Sequence, residues 1–146
     1  MPLYTVTRTS TALSTSNDLL TIIASSTKPL RVYIADMKGM GVATAANEVL
    51  MSRSSGGTTP GGAITPSPVN SGSSAASFTT ATTWSGQPTL GVTLWRFGVN
   101  ANGGVDKFVA VPGAEISVPV SGQVSFRSAS GTSNAVINVL VEEVDG

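Results

Sequence analysis

The chain has 146 residues and no net charge, with eight basic and eight acidic side chains, 38 serines and threonines, and neither cysteine nor histidine. That length suits one compact domain with a core of its own, and the missing residue types exclude disulfides, zinc and iron–sulfur clusters, thiol nucleophiles and serine–histidine–acid hydrolysis. Only 11% of residues are charged, where a self-sufficient soluble surface carries about 25–35%, so hydroxyls stand in for charges and wide stretches of surface are neutral.

From the N-terminus onward, apolar and β-branched residues recur with period two, the signature of half-buried strands. Tyr4, Val6 and Arg8 alternate with Thr5, Thr7 and Thr9, and a run at Leu19–Ala24 follows. Leu30, Val32 and Ile34 alternate with Arg31, Tyr33 and Ala35, which predicts an inward face carried by the first three. Glu48–Arg53 reads as a strand, although Ala43–Met51 is the one stretch that could be helical. Phe78, Thr80, Thr82 and Trp84 share one face of a further run. Then come Thr93-Trp95-Phe97-Val99, Val105-Lys107-Val109-Val111, Ile116-Val118-Val120, Val124-Phe126-Ser128 and the long Ala135-Ile137-Val139-Val141. About ten strands at this spacing give an all-β chain of the sandwich or barrel type, a single domain over residues 1–146.

The turns of the second half are well marked. Asn102-Gly103 offers the positive φ angles of a tight hairpin. Pro112-Gly113 fits the centre of a type II turn, and Ser121-Gly122 and residues 130–134 close two more reversals. Residues 92–144 therefore read as an antiparallel meander of about five strands. Pro119 cannot donate to a ladder, which places it at an edge or bulge.

Residues 54–77 are different in kind. Gly56, Gly57, Thr58, Thr59, Pro60, Gly61 and Gly62 open a Gly/Ser/Pro-rich arm that continues past Pro66, Pro68 and Gly72. Composition alone favours disorder. An ordered arm needs a surface to lie on, because fixing each residue costs roughly 1–2 kcal/mol. A neighbouring subunit is the better candidate for that surface than the arm's own domain.

Few residues could carry chemistry. The stretch from Gly98 to Gly103 has the glycine spacing of a phosphate loop, but Gly104 and Val105 stand where lysine and a hydroxyl are required. Asn100, Asn102 and Asp106 alternate like calcium ligands with too little charge for a good site. Glu142 and Glu143 are adjacent in a strand and point to opposite faces, which rules them out as a glycosidase pair. Asp106 with Glu115 is the remaining carboxylate pair. Trp84, Trp95 and Tyr33 could form a sugar-stacking platform, although aromatic anchors of a core or interface are the commoner use. Arg53, Arg96 and Arg127 lie within strands, where each either pairs with an acid or anchors an interface.

The binding partners are constrained too. No basic cluster tracks a phosphate backbone, so no nucleic acid is expected. No 18-residue apolar run crosses a membrane. Met1-Pro2-Leu3-Tyr4 lacks a signal-peptide pattern, and the chain is expected to be made in the cytoplasm. No cofactor or catalytic residue is expected, and hence no enzyme.

Several stretches, taken together, resemble the head decoration, or cement, proteins of tailed bacteriophages. They are Ala45-Ala46-Asn47-Glu48-Val49, Ser52-Arg53-Ser54, Gly56-Gly57-Thr58-Thr59-Pro60-Gly61-Gly62, Phe97-Gly98-Val99-Asn100-Ala101-Asn102-Gly103-Gly104, Val111-Pro112-Gly113 and Arg127-Ser128-Ala129-Ser130-Gly131-Thr132-Ser133-Asn134. The resemblance implies a jelly-roll-like antiparallel β-sandwich. It also implies a homotrimer that binds the major capsid protein on the outside of the virion and clamps the shell. On that reading the interface residues are Arg53, the 56–62 run, Trp84, Trp95 and Arg96. The alternative is the glycan- or receptor-binding head of a phage tail or surface fibre.

Overall fold

The computed structural model describes residues 2–41 and 46–144. Within them the chain forms thirteen strands and no helix: β1 (Leu3–Ala12), β2 (Leu20–Ile23), β3 (Leu30–Gly39), β4 (Ala46–Ser55), β5 (Thr58–Gly61), β6 (Ser67–Pro68), β7 (Thr79–Ala81), β8 (Thr83–Gly86), β9 (Thr89–Asn100), β10 (Val105–Val109), β11 (Ile116–Val118), β12 (Gln123–Ser130) and β13 (Asn134–Glu143). One sheet has the order β10–β3–β13–β1–β6, with β11 also beside β3. The second runs β7–β2–β12–β4–β9, and β5 and β8 make a separate ribbon. The two large sheets face each other as a β-sandwich, and every pairing is antiparallel.

The alternation seen in the sequence builds the core between the sheets. Ala135, Ile137, Val139 and Val141 of β13 are buried, as are Val124 and Phe126 of β12 and Tyr4 and Val6 of β1. Aromatic rings fill this core: Tyr4 of the first sheet meets Phe78 edge-on at 5.6 Å, and within the second sheet Phe97 lies 6.4 Å from Phe126. The molecule exposes 6839 Å², close to the roughly 7,000 Å² expected for a lone domain of this mass.

Four expectations change. Residues 46–51 are strand, not helix, while 42–45 lie outside the described residues. In β3 the pairing with β13 slips between Leu140 and Val141. That bulge turns both Tyr33 and Ile34 outward and brings Ala35 and Met37 into the core, because one extra residue inverts the alternation beyond it. The run from Phe78 to Trp84 divides at Thr82, sending β7 to the second sheet and β8 to the ribbon.

The fourth change is topological. Residues 92–144 are not a meander, because consecutive strands cross from one sheet to the other: β9 in the second, β10 and β11 in the first, β12 in the second and β13 in the first. The turn at Pro112-Gly113 forms, with Ala114 N–H donating to the Val111 carbonyl at 2.9 Å and Gly113 at φ 86°. It does not reverse the chain. Both β10 and β11 run antiparallel to β3, as one edge strand with an excursion in it. At 102–103 only Gly103 takes a positive φ. Pro119 follows the last residue of β11 and accepts the Gly122 N–H at 2.9 Å, closing the turn at Ser121-Gly122.

Candidate functional site

The arm at 54–77 lies on its own domain. β6 adds to the free edge of β1, and β7, just after the arm, adds to the edge of β2. Val69 N–H donates to the Leu3 carbonyl at 2.9 Å, and Tyr4 OH donates to the Ser74 carbonyl at 2.9 Å. Thr80 Oγ1 lies 2.7 Å from both the N–H and the carbonyl oxygen of Ile64. The buried Glu143 carboxylate accepts the N–H groups of Ser77 and Phe78 at 2.9 and 3.0 Å, pinning the arm's end. These contacts supply the surface that the sequence led us to assign to a neighbouring subunit. Residues 55–60 and most of 62–77 keep an exposed outer side.

The Gly56–Gly62 run is the outer strand of a lid. Thr58 pairs with Gly86 and Pro60 with Trp84, and Thr58 Oγ1 and Ser85 Oγ lie 3.0 Å apart. Gly57 sits at φ 91°, and a β-carbon there would come 2.6 Å from the Trp84 ring, so this position needs glycine on two counts. Trp84 in turn donates its indole N–H to Thr21 Oγ1 at 3.1 Å. Gln123 Nε2 reaches the Gly56 carbonyl at 3.1 Å. The ribbon thereby covers the outer face of the second sheet over β2 and β12.

Beneath that lid is a buried polar network that the sequence did not announce. Asp18 Oδ2 accepts from Thr21 and Ser125, both at 2.6 Å, and Oδ1 accepts from Arg127 Nε at 2.7 Å. Asp18 N–H donates to Gln87 Oε1 at 2.9 Å, and Arg127 also reaches the Pro88 carbonyl at 3.1 Å. Every oxygen of the buried carboxylate is satisfied, as burial of a charge requires. Arg127 was legible as a strand arginine in need of an acid. Asp18 was not, because it sits in a loop far from Arg127 in sequence.

The other strand arginines divide. Arg96 pairs with Glu48 on the neighbouring strand, both well exposed. Arg53 instead reaches across the end of the sandwich to the Ser117 carbonyl at 2.8 Å. Tyr33, Trp84 and Trp95 are not brought together. Trp84 belongs to the lid, whereas Trp95 lies on the edge strand β9, 5.4 Å from Phe108, and stays 41% exposed. Tyr33 is on the outer face of the first sheet.

The carboxylates considered for catalysis are occupied with their own turns. Asp106 accepts the N–H groups of Gly98 and Lys107 at 3.0 and 2.8 Å, and Asn100 Oδ1 accepts Asn102 N–H at 2.9 Å. Hydrogen bonds from its own N–H and that of Gly113 hold Glu115 below the usual carboxylate range. Glu142 and Glu143 do point to opposite faces. Glu142 accepts the Tyr33 hydroxyl at 2.5 Å, with Arg31 3.8 Å away. That hydrogen bond, with burial second, raises the Tyr33 phenol above its ordinary 10.0.

Among the described residues, no lid lies over the outer face of the first sheet. Here the bulge in β3 opens a groove of 410 Å³ walled by Leu3, Tyr33, Ile34, Val109 and Leu140, with Glu142 at one end. On this sheet's edge strand β10, Val105 and Val109 are 59% and 55% exposed, and Val111 just beyond it stands out as well. Sequence reading took Ile34 for a core residue, and no local signal marked the bulge that turns it out. Compared with known proteins, the chain matches no family model, no curated sequence and no solved structure.

Proposed function

We propose that this chain is a non-enzymatic structural protein of a bacteriophage virion, a cement or decoration protein that binds the major capsid protein on the outside of the shell as a homotrimer. The observation that carries the reading is the uncovered apolar surface on a domain with few charges: Val92, Trp95, Val105, Val109 and Val111 stand exposed. Exposed apolar patches of this kind mark surfaces that another protein covers. The repeated crossing of the chain between the two sheets, from β1 through β2 and β3 to β4 and again from β9 to β13, supports the jelly-roll form that the resemblance implies. The separation of Tyr33, Trp84 and Trp95 removes the platform on which the glycan-binding alternative rested.

A clamp of this type binds the assembled shell and not its free subunits, so its binding energy adds to shell stability by mass action. Three linked copies raise the avidity of individually weak contacts. The test is co-sedimentation of the purified chain with mature phage shells across a salt series. Trimers that bind, with little loss at high salt because the net charge is zero, are the expected result. A monomer with no affinity for shells contradicts the proposal.

A further inference from the structure

We infer that the outer face of the first sheet pairs with a second copy of this chain, laid face to face about a two-fold axis that runs along the apolar row Val109, Ile34 and Leu140. The ladders place these three side by side: Val109 opposite Ile34, and Ile34 opposite Leu140. On one flank of the row the next outward residues are Lys107, Asp36 and Asn138, again neighbours across β10, β3 and β13. On the other flank Arg31 stands opposite Glu142, and Glu115 lies near enough to feel the Arg31 charge.

The two flanks are complementary to each other, position by position. A half-turn about the apolar row sets the row of one copy against the row of the other and exchanges the flanks. Asp36 on β3 then comes over Arg31 on β3 of the second copy. Asn138 on β13 comes over Glu142, and Lys107 faces the end where Glu115 lies. A half-turn about the strand direction along β3 instead sets each flank on its own copy, Asp36 over Asp36 and Arg31 over Arg31, which opposes association. Sheets stacked face to face sit about 10 Å apart, the reach of opposed side chains. The bulge at Tyr33 and Ile34 supplies the projecting apolar groups that such a contact buries first.

The size of the face sets the strength expected. Four strands about 4.8 Å apart and four rows of outward side chains about 6.6 Å apart span roughly 500 Å² on each copy. The total of about 1,000 Å² is at the lower limit for a specific interface, so pairing in the micromolar range is expected. A charge-matched, self-complementary face selects a second copy over an unrelated apolar partner, which has no reason to carry the same flanks in reverse. The inference concerns the free chain and does not depend on a capsid.

The experiment is sedimentation equilibrium of the purified chain from about 1 to 200 µM, beside I34K, D36R and the double variant D36R/R31D, each checked for an unchanged thermal transition. An even-numbered assembly is expected, two copies or, where the proposed trimer also forms, six. I34K and D36R should halve its mass, and D36R/R31D should restore it, because the exchanged charges again face each other across the axis. If I34K does not fold, the D36R and double-variant pair carries the test. A chain that stays monomeric throughout, or an assembly whose mass survives I34K or D36R, overturns the inference. A trimer indifferent to both variants overturns it too, while leaving the trimer of the proposed function in place.

Discussion

The two outer faces of this sandwich invert the usual rule of burial. The second sheet presents Thr21 and Ser125 outward, and both are completely buried under the ribbon, with Asp18 and Arg127 between. The first sheet presents Ile34, Val109 and Leu140 outward, Val109 exposed and the other two half-buried, and among the described residues no ribbon or arm lies over them. The chain spends its Gly/Ser/Pro arm on the polar face and leaves the apolar one bare. A polar face can be closed permanently, because every group in it finds a partner. An apolar face left open retains its affinity for another molecule.

The sharpest way to break this contrast is to disarm the covered face. Asp18→Asn leaves Arg127 without its counter-charge under the lid, and loss of one partner of a buried pair costs about 3–5 kcal/mol. Urea unfolding should show that loss as a lower midpoint with an unchanged slope. Glu143→Gln acts at the other end of the arm, weakening two charge-assisted hydrogen bonds, each kind worth about 1.5–3 kcal/mol. Limited proteolysis should then cut within 60–77 faster than in the parent chain.

Gly57→Ala adds a methyl at a positive φ and against the Trp84 ring, a combination of strain and overpacking worth about 1–3 kcal/mol. In a Trp95→Phe background, the emission of Trp84 should shift to the red as the lid lifts. On the bare face, by contrast, Val109→Thr should change monomer stability by no more than about 0.5 kcal/mol. A much larger loss in the same unfolding assay would mean that the face is internally covered. The smallest effect concerns pH. The fold holds the Tyr33 proton above the ordinary phenol value of 10.0, so the folded state binds more protons there than the unfolded one. Stability from this group is intact below pH 10 and falls as pH rises through the elevated value. Tyr33→Phe should remove that part of the alkaline decline, read by thermal melts between pH 9 and 11.

Much of the fold was legible because strand alternation is a local property. The inward faces of β12 and β13 could be listed from period two alone, and the turns at Pro112-Gly113 and Ser121-Gly122 could be placed from their residue types. The face of β3 was misread from Ile34 onward, since a bulge depends on the register of β13 beside it. The meander was misread for the same kind of reason. A tight turn looks alike whether the next strand pairs with the last or crosses to the opposite sheet. Of the candidate interface residues, the 56–62 run and Trp84 share a task within the chain, holding a lid over Asp18, that was not visible in the sequence.

By itself the sequence determined the strand class, the absence of thiol and imidazole chemistry and the low charge, all of which follow from residue identity and nearest-neighbour spacing. Only the tertiary structure decided which outer face is closed and which is open. Burial is a property of what lies across from a residue, and for Thr21 that neighbour comes from a distant part of the chain, whereas for Val109 the described residues supply none.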